Sequence, residues 1–280
     1  MRKGGFVLRE SQGVPLLSCV AFENLKGFRH AFSTRRGGVA GAGGSSLNLG
    51  FSKWDSPERM NRNRKRFLSA LNLNETRLVT LHQIHSNRVY IIGDLADEWN
   101  QPEGDALITG LQGITLAVQT ADCLPILIAD PVRKVIAAVH SGWRGALSRV
   151  LSKTVREMQN AFDTHPADLL VAVGPGIQAC CFQVGLEVAQ PFYEQYRDDS
   201  LIMPVHGVPD KYLLDMERAL KIQCVETGID PDNCYSSGAC TRCNVDEFFS
   251  YRAEGARAGR MMAVINLECG SLLPLCPSSR

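Results

Sequence analysis

The sequence predicts a single domain of the α/β (α+β) class that spans residues 1–280. Three observations lead to this prediction: short apolar runs rich in β-branched residues, longer stretches with apolar residues at helical spacing, and no internal repeat or linker between them. The chain has 280 residues, 45% of them hydrophobic, which is enough for a substantial core. It should therefore fold without disulfide bonds.

Composition also limits the classes of partner. Thirty basic and 29 acidic residues leave a formal net charge of +1, so nothing indicates a nucleic acid or a membrane surface as partner. The first residues include no apolar segment of signal-peptide length, and no stretch approaches the roughly 20 apolar residues of a membrane-spanning helix. We therefore expect a cytoplasmic protein whose ten cysteines are reduced.

Strands are predicted wherever a short apolar run is bounded by turn residues. The first two flank Gln12 and Gly13 and form an opening hairpin, later ones feed a central hairpin, and the last enters the same sheet. The predicted strands are residues 6–9, 14–22, 78–81, 88–92, 104–109, 114–118, 124–129, 135–139, 169–173 and 259–265.

Four helices are predicted, at residues 56–71, 146–162, 186–196 and 211–227. The first begins with Ser56 as N-cap and Pro57 at the first helical position, and its basic residues should form a solvated face. The second starts after the central hairpin, so its N-terminus should face the hairpin's open end. The helix dipole would favour an anion there.

The central hairpin carries the first candidate site. If its turn is centred on Pro131 and Val132, Cys123 lies across the ladder from His140 and Ser141, about 4.5–5.5 Å away. A thiolate and a neutral imidazole can share a Zn²⁺ ion, or the imidazole can deprotonate the thiol and make it a nucleophile. The residues alone leave both options open, beside simple burial in the core.

Two histidines only three residues apart lie before this hairpin in the chain. His82 and His85 should point to opposite faces of an extended segment, so at most one of them can join a common site. A glycine- and serine-rich stretch at residues 32–50 is either a flexible connector or an anion cradle. In the second case Arg35 would grip a phosphate or carboxylate group.

Four of the other cysteines occur in two closely spaced pairs. The adjacent residues Cys180 and Cys181 are predicted to be packed rather than redox-active, because a disulfide bond between neighbours is strained. Cys240 and Cys243 have the two-residue gap of a zinc knuckle. No matching second pair is visible, so the sequence does not predict a structural metal there.

As a set, the motifs resemble the YfiH/YlmD family, also called laccase-domain or polyphenol-oxidase-like proteins and peptidoglycan editing factors. They occur in order along nearly the whole chain: Phe32-Ser-Thr-Arg35, Ser46-Leu-Asn48-Leu-Gly50, Gln83-Ile-His85, Thr120-Ala-Asp-Cys123-Leu-Pro125, His140-Ser-Gly-Trp-Arg144-Gly145, Gly174-Pro-Gly176, Phe249-Ser-Tyr-Arg252 and Gly259-Arg260. Ile84, Ser86 and Ser141 replace the family's usual Val, Gly and Ala, and none of these changes removes a ligand.

The resemblance implies a layered α/β sandwich with mixed sheets, placed with the cytotoxic-necrotizing-factor-like folds. It also implies one zinc ion bound by His85, Cys123 and His140, with His82 outside the motif. A Cys/His/His set that leaves a fourth position open is a catalytic zinc arrangement able to activate water. Cu²⁺ is the alternative metal, because copper outcompetes zinc at most nitrogen and sulfur sites.

The activities that the resemblance implies concern purine nucleosides. They are phosphorolysis of adenosine, inosine, guanosine and methylthioadenosine, and deamination of adenosine. We expect Arg35 and Asn48 to contact phosphate or ribose, and Arg144 and Arg252 to shape the pocket. The partners would be small molecules, a purine nucleoside and phosphate, and the protein a monomer or homodimer.

Three alternatives stay open. Family members have also been described as copper-dependent polyphenol oxidases, although six histidines are few for several coppers. The chain could instead be a metal-free cysteine hydrolase that edits cell-wall precursors, with Cys123 as nucleophile and His140 as base. Lastly, it could be a non-enzymatic binding protein that contains zinc.

Overall fold

The computed structural model describes residues 1–3, 5–40, 45–52, 54–73, 77–93 and 99–269. Within these ranges the strands are β1 (Arg2–Lys3), β2 (Phe6–Ser11), β3 (Val14–Cys19), β4 (Phe28–Ser33), β5 (Arg36–Ala40), β6 (Leu78–Val79), β7 (Val89–Ile92), β8 (Ala106–Thr109), β9 (Thr115–Thr120), β10 (Leu124–Asp130), β11 (Val135–Ser141), β12 (Leu170–Val173), β13 (Gln183–Gly185), β14 (Ile202–Pro204), β15 (Lys211–Leu214), β16 (Cys234–Ser236) and β17 (Met261–Leu267). The helices are α1 (Val20–Glu23), α2 (Pro57–Ala70), α3 (Trp143–Leu147), α4 (Val150–Phe162), α5 (Leu186–Tyr196), α6 (Met216–Glu226) and α7 (Tyr251–Glu254).

Two mixed sheets stack face to face and helices cover their outer faces. One sheet has seven strands in the order β1-β16-β12-β10-β11-β8-β7, and the other has six in the order β2-β3-β4-β17-β9-β6. Apolar side chains of both sheets fill the space between them, α2 packs on the six-stranded sheet, and α4, α5 and α6 pack on the other. This arrangement confirms the predicted α/β class with layered, mixed sheets.

The central hairpin is buried on both faces, which explains its continuous apolar sequence. Ile126 and Ile128 of β10 face the helices, whereas Leu127 and Ala129 face the six-stranded sheet. Successive strand residues point to opposite faces, so a strand in an inner layer needs apolar residues at every position.

The register of this hairpin differs from the predicted one by a shift of two residues. His140 pairs with Pro125 rather than with Cys123. The carboxylate of Asp130 accepts hydrogen bonds from the backbone N–H groups of Val132 and Arg133, which widens the connection to four residues. A shift of two keeps each side chain on its predicted face, because the strand period is two.

Four other predictions are wrong in part. Residues 14–22 form β3 and then α1, and residues 146–162 are interrupted at Arg149, whose φ of 62° separates α3 from α4. Residues 211–227 begin as strand β15, and helix α6 starts only after Asp215, whose side chain caps it. The last strand, β17, enters the six-stranded sheet rather than the sheet of the central hairpin.

The predicted start of α2 is confirmed, since Ser56 accepts a hydrogen bond from the backbone N–H of Arg59. Among the helices of the described ranges, none combines the length and the apolar character that crossing a bilayer requires.

Candidate metal centre and substrate cleft

The site lies where the chain crosses from one sheet to the other. Strand β9 of the six-stranded sheet ends at Thr120, and β10 of the seven-stranded sheet begins at Leu124. Between them Asp122 has a φ of 90°, and its carboxylate accepts hydrogen bonds of 2.6 Å from Thr241 Oγ1 and from the backbone N–H of Arg252. This short crossing places Cys123 at the open end of the sandwich.

His140 reaches the same point from the end of β11. It is only 3% exposed, and its Nδ1 lies 2.8 Å from the carboxylate of the fully buried Asp105. With Nδ1 engaged by a carboxylate, Nε2 is the nitrogen available to a metal or to the Cys123 thiol. Asp105 therefore selects the tautomer of His140.

The same carboxylate positions His85. Asp105 accepts hydrogen bonds from the backbone N–H groups of His85 (3.0 Å) and Ser86 (2.5 Å), and from the Ser86 hydroxyl (2.7 Å). His85 has a φ of 59°, an uncommon conformation for a residue other than glycine. Because residues 80–88 are irregular rather than extended, the predicted alternation of His82 and His85 does not apply there.

The three predicted ligands meet. One ligand atom from each of His85, Cys123 and His140 lies within 4.8 Å of the others, and the two imidazole rings are 4.9 Å apart and nearly perpendicular. Gly142 lies directly against this group, since a Cβ atom at this position would be 2.8 Å from His85 Cδ2 and 3.0 Å from Cys123 Sγ. His82 lines the neighbouring cleft but does not belong to this group.

Electrostatics favour an ionised thiol. Burial raises the pKa of Cys123, but the adjacent His140 and His85 side chains outweigh it and lower the pKa to about 6. Burial lowers the pKa of His140, and the thiolate of Cys123 and the carboxylate of Asp105 reverse this and raise it to about 9. A deprotonated sulfur is the form that binds metals and the form that acts as a nucleophile.

These donors fit a metal ion. Two imidazoles and one thiolate suit zinc or copper, and three protein ligands leave a coordination position for a substrate or water. The Asp105–His140 hydrogen bond is the outer-shell contact that metal-bound histidines usually make. His85 and Cys123 are open to the cleft, so an ion has access to the group.

A cleft of about 690 Å³ lies in front of this group. Four arginines line it, Arg64, Arg144, Arg252 and Arg260. The carboxylate of Asp122 also borders the cleft, but both of its oxygens are engaged by Thr241 and by the backbone of Arg252. The apolar and aromatic side chains that line the cleft are Phe51, Leu81, Trp143, Ile177, Phe182, Met216 and Tyr251. Such a cleft suits a ligand with one flat apolar part and one anionic part.

The predicted substrate residues divide into two groups. Arg144 and Arg252 line the cleft. Arg35 does not: it hydrogen-bonds the carbonyls of Val245 and Phe248 and pairs with Glu254 at 2.9 Å. These contacts stabilise the loop before α7.

Asn48 is also outside the cleft. It is fully buried, and its side-chain oxygen accepts hydrogen bonds from the backbone N–H groups of Gly50 and Arg260. Asn48 thus positions Arg260 instead of facing the substrate. None of the described residues from 32 to 50 lines the cleft, which argues against the anion-cradle interpretation of that stretch. Residues 41–44 lie outside the described part of the chain.

Sequence reasoning missed three features of the site. Asp105 was predicted only as part of the strand at residues 104–109. Its position next to the buried strand β8 was the one sign of a buried carboxylate. Arg64 was assigned to a solvated helix face, yet it lines the cleft and donates to the carbonyl of Leu49. Arg260 belongs to the Gly259-Arg260 motif, but it was assigned no role in the site, because its position depends on the distant Asn48.

Comparison with known proteins identifies the family. Residues 29–268 match the family model of the multi-copper polyphenol oxidoreductase laccase. The chain is 36% identical over 238 residues to a purine nucleoside phosphorylase of Deinococcus radiodurans, and this alignment covers 85% of this chain and 88% of the relative. It is 34% identical to an adenosine deaminase, RL5, from an unknown prokaryotic organism, with 82% of this chain and 90% of the relative covered.

A solved structure agrees with these relatives. YlmD from Geobacillus stearothermophilus superimposes with a TM-score of 0.84 at 28% sequence identity, over 94% of this chain and 100% of that protein. The match therefore extends to the whole layered architecture. The chain belongs to the multi-copper polyphenol oxidoreductase laccase family, the family of YfiH and YlmD that its motifs resemble.

Proposed function

We propose that this protein is a zinc-dependent purine nucleoside enzyme that cleaves nucleosides with phosphate and deaminates adenosine. The observation that carries the proposal is the meeting of His85, Cys123 and His140 at the wall of an arginine-rich cleft. Two relatives, named as a purine nucleoside phosphorylase and an adenosine deaminase, support the substrate class.

The residues of the chain have separate tasks in this proposal. Asp105 holds His140 with Nε2 towards Cys123 and fixes the backbone of His85, so the three donors are arranged before any ligand arrives. When bound, a zinc ion supplies Lewis acidity, which in deamination serves to activate water. The preformed geometry lowers the cost of assembling the site.

The arginines supply what phosphorolysis requires. Phosphate is an anion with several acceptor oxygens, and guanidinium groups bind such anions with paired hydrogen bonds. Arg144 and Arg252 approach the cleft beside Trp143 and Phe182, so phosphate and a flat base could be held side by side.

The experiment is product analysis of metal-quantified protein with adenosine, with and without phosphate. Adenine and ribose 1-phosphate formed only with phosphate would demonstrate phosphorolysis, and inosine formed without it would demonstrate deamination. The Cys123→Ala variant should give neither product. Absence of both products from the zinc-loaded wild-type protein would refute the proposal and favour the non-enzymatic binding protein.

A cysteine hydrolase is the second candidate, because one observation favours it. Cys123, His140 and Asp105 form a thiol, base and carboxylate series, and the pKa of Cys123 is lowered to about 6. Zinc quantification together with alkylation separates the two functions. A hydrolase needs a free thiolate that iodoacetamide modifies rapidly, whereas one zinc ion per Cys123 should protect this thiol.

A further inference from the structure

Four cysteines outside the cleft form a second group, which we call the thiol cluster: Cys180, Cys181, Cys240 and Cys243. Their sulfur atoms all lie within 4.8 Å of one another. Cys243 Sγ is 3.6 Å from Cys180 Sγ and 3.4 Å from Cys181 Sγ. Cys180 and Cys181 are therefore the second pair of ligands that the spacing of Cys240 and Cys243 calls for, although they come from another loop.

Sheet topology brings the two pairs together. Strands β12 and β16 are parallel neighbours, with Val173 opposite Ser236, so the segments that follow them leave the same edge of the sheet. Gly176 and Cys240 continue this pairing as an isolated parallel bridge. The loop with Cys180 and Cys181 is thus held against the turn with Cys240 and Cys243 by backbone hydrogen bonds.

The distances match a metal site and not a disulfide bond. A disulfide joins two sulfurs at about 2.0 Å. Four sulfurs around one zinc ion in tetrahedral geometry, each at about 2.3 Å from it, lie about 3.8 Å from one another. The Sγ–Sγ separations of 3.4 and 3.6 Å are close to this value, so little movement is needed to accommodate an ion.

The surroundings of Cys240 also suit a thiolate ligand. Its side chain is 5% exposed, and its sulfur accepts hydrogen bonds from the backbone N–H groups of Gln178 and Cys243. Such N–H groups stabilise negative charge on sulfur. Cys180 and Cys243 are exposed, which gives an ion a route from solvent to the cluster.

We propose that the thiol cluster binds one Zn²⁺ ion through all four sulfurs, as a structural site separate from the cleft. Four protein ligands close the coordination sphere, which is the arrangement of structural rather than catalytic zinc. Binding exchanges the protons still held by the thiols for the ion, and these protons are released to solvent.

The site would stabilise one wall of the cleft. Ile177 and Phe182, which flank the first pair of cysteines, line the cleft, and Thr241, beside Cys240, holds the carboxylate of Asp122. An ion that joins the two loops would therefore fix side chains on both sides of the crossing that carries Cys123. Its loss should loosen this wall without removing any ligand of the first site.

Zinc content per chain tests the proposal. We expect two ions in the wild-type protein, one in Cys123→Ala, one in the double variant Cys240→Ser/Cys243→Ser, and two in the control Cys269→Ser. If the first site does not bind zinc, wild type and Cys123→Ala should both contain one ion and the double variant none. A double variant with the same zinc content as the wild type would overturn the proposal.

A second measurement avoids changing the cluster, in case the double variant does not fold. Cys123→Ala loaded with Co²⁺ should show intense sulfur-to-cobalt absorption and the visible bands of a tetrahedral ion. In the same protein, zinc should protect all four cluster thiols from alkylation, and chelation should expose them. Equal alkylation with and without zinc, or a disulfide between cluster cysteines in the purified protein, would contradict a metal site.

Discussion

Asp105 and His140 form a hydrogen-bonded pair at the base of the cleft, with 2.8 Å between the carboxylate and Nδ1. Hydrogen bonds to His140, to Ser86 and to backbone N–H groups lower the pKa of Asp105, although its burial acts in the opposite direction. The ionised carboxylate thus accepts hydrogen bonds from both histidine segments. One buried side chain sets the arrangement of two of the three proposed ligands.

Asp105→Asn should weaken metal binding by about 10- to 100-fold. The amide has one oxygen that can accept a hydrogen bond, and its NH₂ group would face the N–H and hydroxyl of Ser86, which are donors. Competition with a chromophoric chelator measures the metal affinity. Ser86→Ala is the control, since it removes one bond to the carboxylate and leaves His140 and His85 in place. Equal affinity in wild type and Asp105→Asn would show that this carboxylate does not support the site.

Gly142→Ala should abolish or strongly reduce metal binding while the chain remains folded. The added Cβ would lie 2.8 Å from His85 Cδ2 and 3.0 Å from Cys123 Sγ, so two proposed ligands must move apart. Gly142 has a φ of −77°, which alanine adopts without strain, and the effect should therefore be confined to the site. Thermal unfolding and zinc analysis measure the two quantities. Gly93→Ala, where a Cβ meets no atom within 4 Å, should change neither.

The sequence and the family resemblance predicted which three side chains meet better than they predicted how these side chains are arranged. Cys123 directly precedes β10 and His140 lies near the end of β11, and the apolar character of both strands makes them easy to recognise. A shift of two residues in register does not change the face to which His140 points. His85 and Asp105 are harder, because the left-handed conformation of His85 depends on a carboxylate 20 residues away. The family resemblance supplied His85, whereas periodicity could not.

Long-range contacts also limit what sequence can predict about the arginines. The sequence around Arg35 is rich in glycine and serine, as in many anion sites. In the structure, however, its guanidinium binds carbonyls and a carboxylate of residues more than 200 positions away. Arg64 was placed on a solvated face because α2 is basic, and most of the residues that line the cleft with Arg64 are far from it in sequence. The same limit hid the thiol cluster, whose two halves follow different strands of one sheet.

Arginine substitutions should therefore separate binding from stability. Arg144→Ala should raise the phosphate KM roughly tenfold, because a hydrogen bond from a charged donor contributes about 1.5 kcal/mol or more. Arg35→Ala should leave the phosphate KM unchanged and lower the free energy of unfolding by about 2 kcal/mol, since two partly buried carbonyls lose their donor. Initial rates at varied phosphate and denaturant unfolding measure the two effects. The reverse pattern would return Arg35 to the anion site.

His30 should make the stability depend on pH. It is 7% exposed, its Nε2 accepts a hydrogen bond from the backbone N–H of Cys19, and burial lowers its pKa to about 4 from 6.5. Above pH 6.5 the imidazole is neutral in both the folded and the unfolded chain, so the contribution to stability is complete. Between pH 6.5 and 4 the unfolded chain takes up a proton that the folded chain does not, and the free energy of unfolding falls. At about 1.4 kcal/mol per pKa unit, the total loss is on the order of 3 kcal/mol.

His30→Gln isolates this contribution, because a glutamine oxygen can accept the same backbone hydrogen bond and does not titrate in this range. The comparison uses urea unfolding of both proteins at several values between pH 8 and 4. The wild-type protein should lose stability more steeply than the variant over this interval, and the two curves should be parallel above pH 7. Parallel curves throughout would mean that His30 takes up a proton as readily in the folded chain as in the unfolded one. This result would contradict a buried, neutral His30 that accepts a hydrogen bond from Cys19.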